Sequence, residues 1–145
     1  MATSDTLRNH VVTKLVDATG QLMSPDATYY VSLHTGNPVA ATPAANELAA
    51  SFAYARAPYT NGLAQWATVG VPTAGETTNA AAITFAAAAG GDWATATHFG
   101  IWNNVSSTSA AAFLFGAILT GAGAVTCTDG DAVQFQIGAL TITCA

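Results

Sequence analysis

The sequence predicts a mainly β protein, a β-sandwich whose strands can follow a jelly-roll-like path, with one N-terminal α-helix. Short segments that alternate apolar and polar residues recur along the chain, and glycine, proline and asparagine separate them. Helical periodicity is confined to the first part of the chain. The length of 145 residues is typical of one domain. We therefore predict a single domain over residues 1–145, with a helix over 3–18 and a β-sandwich over 28–145.

The helix is predicted by its first residues and by an apolar stripe. Ser4 or Asp5 can accept a hydrogen bond from the free backbone N–H groups at a helix start. An isolated helix of this length is marginal in water, so its stripe must pack on the protein's own sheet or on a neighbouring subunit. The residues of the stripe that recur at helical spacing include Leu7, Val11 and Leu15.

The next part of the chain predicts three strands and a long loop. Residues 29–35 alternate Tyr, Val and Leu with Ser and His, which is typical of a half-buried strand. Residues 38–50 are rich in proline and small residues and predict an irregular surface loop, and loops of this length are often functional. Residues 52–58 and 63–69 predict two further strands joined by an Asn-Gly turn.

Three more strands are predicted over residues 82–86, 97–103 and 112–119. If the strand of 97–103 lies beside the strand of 29–35, the two histidines that these strands contain can meet. The segment Asp129–Asp131 reads as a turn, because a glycine lies between its two acidic residues.

The last predicted strand, residues 131–144, changes phase in its middle. Moving a strand by one residue exchanges its buried and exposed faces. We therefore predict either a β-bulge at Gly138 or a move from one sheet to another, so that both apolar sets stay inside. The first set consists of Val133, Phe135 and Ile137, and the second consists of Leu140 and Ile142.

The low charge of the chain excludes several classes of partner. Only 8% of the residues are charged, against about 25% in ordinary domains. The formal cations are Arg8, Lys14 and Arg56, and the net charge is −5. Nucleic acids and anionic membranes need clustered cations, so we expect neither as a partner. No secretory signal is visible at the N-terminus, and the uncharged stretch over 93–128 is too polar for a transmembrane helix.

Residues that could perform chemistry are present but not in catalytic patterns. The three histidines, His10, His34 and His98, have no metal-ligand spacing, and we expect no metal and no cofactor. No Gly-x-Ser-x-Gly motif marks a nucleophile. Glycan cleavage would need convergent carboxylates in a cleft. We expect that the protein is not an enzyme.

Two residue classes have both a structural and a functional interpretation. Cys127 and Cys144 are interpreted as packing thiols, although a bridge between neighbouring strands is an alternative. The tryptophans Trp66, Trp93 and Trp102 could form a carbohydrate platform, but core anchoring is favoured because most other apolar residues are alanine.

Four blocks of sequence resemble a known family. They are Tyr-Tyr-Val-Ser-Leu-His-Thr-Gly at 29–36, Asn-Glu-Leu at 46–48, Tyr-Ala-Arg at 54–56 and His-Phe-Gly-Ile-Trp at 98–102. In this order the blocks resemble small virion structural proteins of tailed bacteriophages, labelled tail-fibre or head-decoration proteins. The chain departs from that pattern directly after the last block, where it has two asparagines.

The resemblance implies a structural role in a phage particle that is made in the bacterial cytoplasm. The leading expectation is a head-decoration, or cement, protein, a homotrimer that binds the major capsid protein on the outer surface of the assembled head. The alternative is a tail or tail-fibre component, which could bind host glycans. Glu47 and Arg56 are expected to form an ion pair that fixes the loop. The candidate partner-binding residues are Leu7, Val11, Leu15, Asn46, Glu47 and Arg56.

Overall fold

The computed structural model describes residues 2–3, 28–60, 66–67, 76–119 and 123–143. These residues contain β-strands and no α-helix, and no helix among them could span a membrane. The strands are β1 (Ala2–Thr3), β2 (Thr28–His34), β3 (Ala57–Thr60), β4 (Trp66–Ala67), β5 (Glu76–Asn79), β6 (Ile83–Thr84), β7 (Trp93–Ala96), β8 (His98–Trp102), β9 (Phe113–Ile118), β10 (Val125–Cys127), β11 (Gln134–Phe135) and β12 (Thr141–Thr143).

The mainly β class is therefore confirmed. The predicted helix over 3–18 lies outside the described residues except for Thr3, which is in a strand. The sheets are open, and their packing as a β-sandwich stays a prediction.

The largest sheet has five antiparallel strands in the order β1, β9, β8, β2, β3. The two long strands at its centre, β2 and β8, consist mainly of aromatic and β-branched residues, which suit a pleated and buried surface. Their register places Leu33 opposite Phe99 and His34 opposite His98. The two histidine-containing strands are therefore neighbours, which was the condition for the two histidines to meet.

Strand β2 is buried on both faces, which simple alternation does not predict. Val31 and Leu33 belong to the main apolar core. Ser32 and His34 alternate with them and are also fully buried. The predicted surface loop covers this second face in part, because Pro38 is itself fully buried and lies against β9.

Three small sheets contain the remaining strands, in the orders β10-β7, β11-β6 and β12-β5-β4. Strands β11 and β12 are consecutive in sequence but belong to different sheets, so the predicted move between sheets is confirmed. Gly138, with φ of 77°, lies in the turn between them, and Asn79 accepts hydrogen bonds from the N–H groups of Gly138 and Leu140. Ile137 is 70% exposed in this turn, so the expectation that it lies inside was wrong.

The strand predicted over 52–58 begins only at Ala57. Phe52 and Ala53 have φ of 52° and 62°, values outside the β region, and these two residues form a turn instead. Strand β3 then pairs with β2, and β4 pairs with β5, so no hairpin between the predicted neighbours is present in the described residues. The Asn-Gly turn itself lies outside them.

Aromatic side chains fill much of the core. The Tyr54 and Trp93 rings meet edge to face at 5.3 Å, and Phe85 contacts both of them. Trp93 and Trp102 are buried, which confirms core anchoring for these two tryptophans. Cys127 is a buried free thiol, as predicted, whereas Cys144 lies outside the described residues.

Candidate functional site: a buried polar cluster beside an aromatic groove

The four sequence blocks that suggested a family converge on one cluster of polar side chains. β2 contributes Ser32 and His34, and β8 contributes Trp102. The loop between β2 and β3 contributes Glu47 and Arg56. We call these five residues the polar cluster. The strand pairing brings residues that are up to 70 positions apart into direct contact.

Ser32 is the centre of the strand part of the cluster. Its Oγ accepts a hydrogen bond from the indole Nε1 of Trp102 at 2.7 Å and lies 2.6 Å from Nε2 of His34. The same hydroxyl donates to the carbonyl of Gly100 at 3.4 Å. A Cβ on Gly100 would lie 2.7 Å from Ser32 Oγ and 2.9 Å from His34 Nε2. Glycine is therefore required there because the cluster approaches the backbone of β8 closely.

His34 is held neutral. Its burial, followed by the positive charge of Arg56 and the nearness of His98, lowers the pKa of His34 to about 4. Its ring is stacked nearly parallel to the Trp102 ring, with centroids 6.5 Å apart. Nδ1 has no hydrogen-bond partner among the described residues. A charged imidazolium at this position would face Arg56 without a compensating carboxylate on its free nitrogen.

Arg56 and Glu47 form the predicted ion pair. Arg56 donates from Nε to Oε1 and from Nη2 to Oε2 of Glu47, each at 2.7 Å. Nη1 donates to the carbonyls of Asn104 and Ser107, each at 3.0 Å. The guanidinium carbon lies 3.6 Å from the centroid of the Trp102 ring, a cation–π contact. Arg56 thus connects two loops to the central sheet.

The ion pair is largely buried, although the loop that contains Glu47 was predicted to lie on the surface. The Arg56 and Glu47 side chains are only 4% and 13% exposed. The hydroxyl of Tyr54 lies 3.5 Å from Glu47 Oε1 and accepts a hydrogen bond from the backbone N–H of Leu33 at 2.9 Å. Burial raises the pKa of Tyr54, so its hydroxyl stays protonated.

The cluster contains a serine and a histidine in hydrogen-bond contact, the arrangement of an activated nucleophile. Both residues are fully buried, so a substrate has no access to them. The Ser32 oxygen is also occupied by the Trp102 indole. The geometry supports a role in holding strands and loops together.

A groove with a volume of about 360 Å³ opens beside Trp93, whose ring contacts Tyr54. Phe52 is 45% exposed at its edge, and Trp93 lies in its wall with 7% exposure. The side chains of Ser51 and Asp92 are exposed polar groups there. We call this feature the Phe52 groove; its lining consists of Leu48, Ala49, Ser51, Phe52, Asp92, Trp93 and Ala94.

The Phe52 backbone is fixed by its neighbours. Its carbonyl accepts hydrogen bonds from Trp93 Nε1 at 2.9 Å and from Ala89 N at 3.0 Å. The Phe52 ring lies over Gly91, where an added Cβ would come within 2.7 Å of the ring. These contacts hold a bulky residue at positive φ, a conformation that is otherwise unfavourable.

Two carboxylates connect the turns beside the groove. Asp129 Oδ1 accepts a hydrogen bond from Gly90 N, and Asp92 Oδ1 accepts one from Asp129 N, both at 2.8 Å. The segment around Asp129 is a turn, as predicted. No group of three or more His, Cys, Asp or Glu residues that could hold a metal occurs in the described part of the chain.

The predicted site residues have different positions and exposures in the structure. Leu7, Val11 and Leu15 lie outside the described residues. Asn46 is exposed, and its carbonyl accepts a hydrogen bond from Thr35 N at 2.8 Å. Arg56 and Glu47 point inward, and their contact with a partner stays a prediction.

Sequence reasoning missed two groups of residues. Ser32 and Trp102 share a face of neighbouring strands with His34, and the alternation of β2 and β8 was a signal for their meeting. Phe52 and Asp92 had no such signal, because neither the positive φ of a phenylalanine nor the contact between the turns can be read from local pattern.

No curated protein matched the chain in a sequence comparison. The family described as Podophage GP4 fiber I protein gp80 matches residues 2–143, which is almost the whole chain. The match agrees with the resemblance to phage virion structural proteins. The protein therefore belongs to this family of phage virion structural proteins.

Proposed function

We propose that the protein is a structural subunit of a virion fibre and works by assembly rather than by catalysis. The observation that carries this proposal is the family match over residues 2–143, because the family description names a fibre protein. The capsid-decoration role that the sequence suggested receives no comparable support. We therefore place the fibre role first.

The buried ion pair suits a subunit whose outer loops must keep a fixed shape. Arg56 joins the loop that contains Glu47 to the loop that contains Asn104 and Ser107, and it rests on Trp102 of the central sheet. Loops tied in this way present a fixed surface to a neighbouring subunit. Such preorganisation lowers the entropy that is lost when the subunits assemble.

The surface composition also suits assembly. Short uncharged side chains lose little rotamer freedom when a neighbour covers them, and only 8% of the residues are charged. We propose a homotrimer, in which one protomer contact is repeated around a threefold axis. Light scattering during size exclusion should then give three times the 14.6 kDa mass of one chain. A monomer at all concentrations would remove this part of the proposal.

Capsid decoration is the second candidate, because the same small-residue surface could cover the outer face of the major capsid protein. Quantitative mass spectrometry of purified particles, with immunogold labelling, separates the two roles. The fibre role predicts a small number of copies per particle and gold at the tail. A copy number comparable with the major capsid protein, and gold over the head, would establish decoration instead. Absence from purified particles would exclude both.

A further inference from the structure

We propose that the Phe52 groove binds an extended segment of another virion protein, which adds as a strand beside β7 and carries a lysine or arginine. Three features of the groove support this: an open strand edge, an exposed aromatic ring and an exposed carboxylate. The inference rests on membership of the virion structural family. It holds for a fibre and for a decoration protein alike, because each contacts at least one other protein of the particle.

Strand β7 has an open edge. Within the described residues it pairs with β10 alone, in a sheet of two strands. Two-stranded sheets are marginal by themselves, and the unpaired N–H and C=O groups of an edge strand can pair with an added chain. An extended segment would therefore find a template over Trp93–Ala96. The four residues of this strand span about 13 Å, which sets the length of the paired stretch.

The groove follows this open edge. Trp93 and Ala94 of β7 are part of its lining, whereas the lining includes no described residue of β10. The opposite wall comes from the loop that precedes β3, between Leu48 and Phe52. Ala94 and Thr95 are exposed, so the middle of β7 is accessible from the groove.

The ring of Phe52 offers a contact for an apolar side chain of the added segment. It is 45% exposed, and alternate side chains of a strand point to the same face, so the segment can cover the ring while its backbone pairs with β7. The ring is already held in place. The Phe52 carbonyl accepts hydrogen bonds from Trp93 Nε1 and Ala89 N, and the ring lies over Gly91. A preordered contact loses less entropy when a partner binds.

The charge of the groove selects a basic segment. Asp92 is exposed, and its Oδ1 accepts a hydrogen bond from Asp129 N at 2.8 Å. This bond fixes the carboxylate, while Oδ2 has no hydrogen bond to another described residue. The described lining contains no lysine or arginine that could neutralise the carboxylate. A lysine or arginine on the added segment would supply this missing partner.

The charges of the chain favour a different protein over a second copy as the partner. Its formal cations are Arg8, Lys14 and Arg56, and its net charge is −5. Arg56 is paired with Glu47 in the interior, so it is not available to a neighbour. Arg8 and Lys14 lie outside the described residues. The test therefore includes peptides of this chain itself.

The test uses the full chain and an array of short overlapping peptides that cover the other structural proteins of the particle and this chain. The peptide that binds most strongly is titrated by calorimetry. We expect it to contain a lysine or arginine, and replacing that residue by glutamine should weaken binding about two- to fivefold, as for an exposed ion pair. Asp92→Asn should have the same effect, and both changes together should weaken binding little more than either one alone.

The peptide backbone gives a test of strand addition. Only alternate N–H groups of an added strand face its neighbour. We therefore expect N-methylation of the peptide to weaken binding at least about tenfold at alternate positions and much less at the positions between them. Amide hydrogen exchange within Trp93–Ala96 should slow when the peptide binds.

Phe52→Ala should weaken binding about tenfold, because it removes the exposed ring. Two matched controls lie outside the groove and should bind like the wild type. Ile137→Ala removes an exposed apolar side chain, and Asp131→Asn removes an exposed carboxylate. Circular dichroism shows whether each variant is folded. Asp92→Asn keeps the oxygen that accepts from Asp129 N, so it tests the site even if Phe52→Ala does not fold.

Three results would overturn the inference. The first is folded wild-type protein that binds no peptide of the array. The second is binding that N-methylation weakens without alternation, which would show that the segment does not add as a strand. The third is strongest binding by a peptide of this chain, which would make the groove a contact between copies. Gold labelling of particles is independent of all three, so the fibre role can fail while the groove keeps its partner.

Discussion

Arg56 and Glu47 are joined by two parallel hydrogen bonds of 2.7 Å inside the protein, not on its surface. Removing one partner of a buried pair leaves the other charge without compensation, which typically costs several kcal/mol. Replacing both partners by apolar residues can be much less costly. The pair therefore allows a sharp test by a double-mutant cycle.

We expect Arg56→Met to lower the free energy of unfolding by about 3 kcal/mol, because it leaves the Glu47 carboxylate unpaired in a mostly buried site. Arg56→Met combined with Glu47→Leu should be less destabilising than the sum of the two single changes by more than about 1 kcal/mol. Urea titrations measure all three values. Strict additivity would show that the two side chains do not act as a pair.

The stability of the protein should fall as the pH drops from about 6.5 to about 4. Folding lowers the pKa of His34 from 6.5 to about 4, so the unfolded chain binds a proton in this range and the folded chain does not. The full stabilisation is present above pH 6.5. Losing this stabilisation on acidification lowers the free energy of unfolding by roughly 3 kcal/mol, because a pKa difference of one unit between the folded and unfolded chain is worth about 1.4 kcal/mol.

His34→Gln should flatten this pH dependence, as measured by urea titrations at pH 7 and pH 4.5. His98→Gln is the comparison variant: burial also lowers the pKa of His98, but its ring is only half-buried, so this change should flatten the pH dependence less than His34→Gln does. An unchanged pH slope in the His34 variant would place the titrating group elsewhere.

Gly100→Ala should destabilise the protein strongly, by about 2 kcal/mol or more, since overpacking at a rigid site typically costs 1–3 kcal/mol. The new methyl group would press on Ser32 Oγ and His34 Nε2, which are already in contact. Thermal unfolding measures the change. Gly36→Ala is the control, because the nearest atoms to its new Cβ belong to the exposed side chain of Asn46, at 3.2 Å and beyond. Equal melting temperatures for the two variants would contradict the prediction.

Ala53→Gly should stabilise the protein by about 0.5–1 kcal/mol. Ala53 has φ of 62°, and an alanine in this region is unfavourable by about 1–2 kcal/mol. The net gain from glycine is smaller than this strain energy, because glycine has more backbone entropy to lose when the chain folds. Ala55, also exposed but without positive φ, is the control, and Ala55→Gly should destabilise. Chemical denaturation of the two variants is the measurement, and the same sign for both would be inconsistent with relief of strain.

The longer strands could be predicted from local pattern, because alternation and turn residues are short-range signals, whereas the short strands β5 and β7 were not predicted. The segments around Tyr29 to His34 and His98 to Trp102 were recognised, and they form the centre of the main sheet. The move between sheets at Gly138 was also foreseen, since the phase change at that residue is visible in the sequence.

Pairing partners and special backbone conformations could not be predicted in the same way. Strand β3 has β2 as its neighbour through long-range contacts that no local alternation encodes. Phe52 takes positive φ because Ala89, Gly91 and Trp93 hold it there, and all three lie far along the chain. For the site, residue types suggested Arg56 and Glu47, but only the fold shows that they are buried.

The convergence of the four sequence blocks on buried residues has a consequence for how relatives are recognised. Ser32, His34, Arg56 and Trp102 are all buried, so a pattern built on them describes the interior of the molecule. Chains that share these four blocks are expected to share this buried scaffold. Exposed residues such as Phe52 and Asp92 lie outside the four blocks, so the blocks report on the scaffold and not on the outer surface.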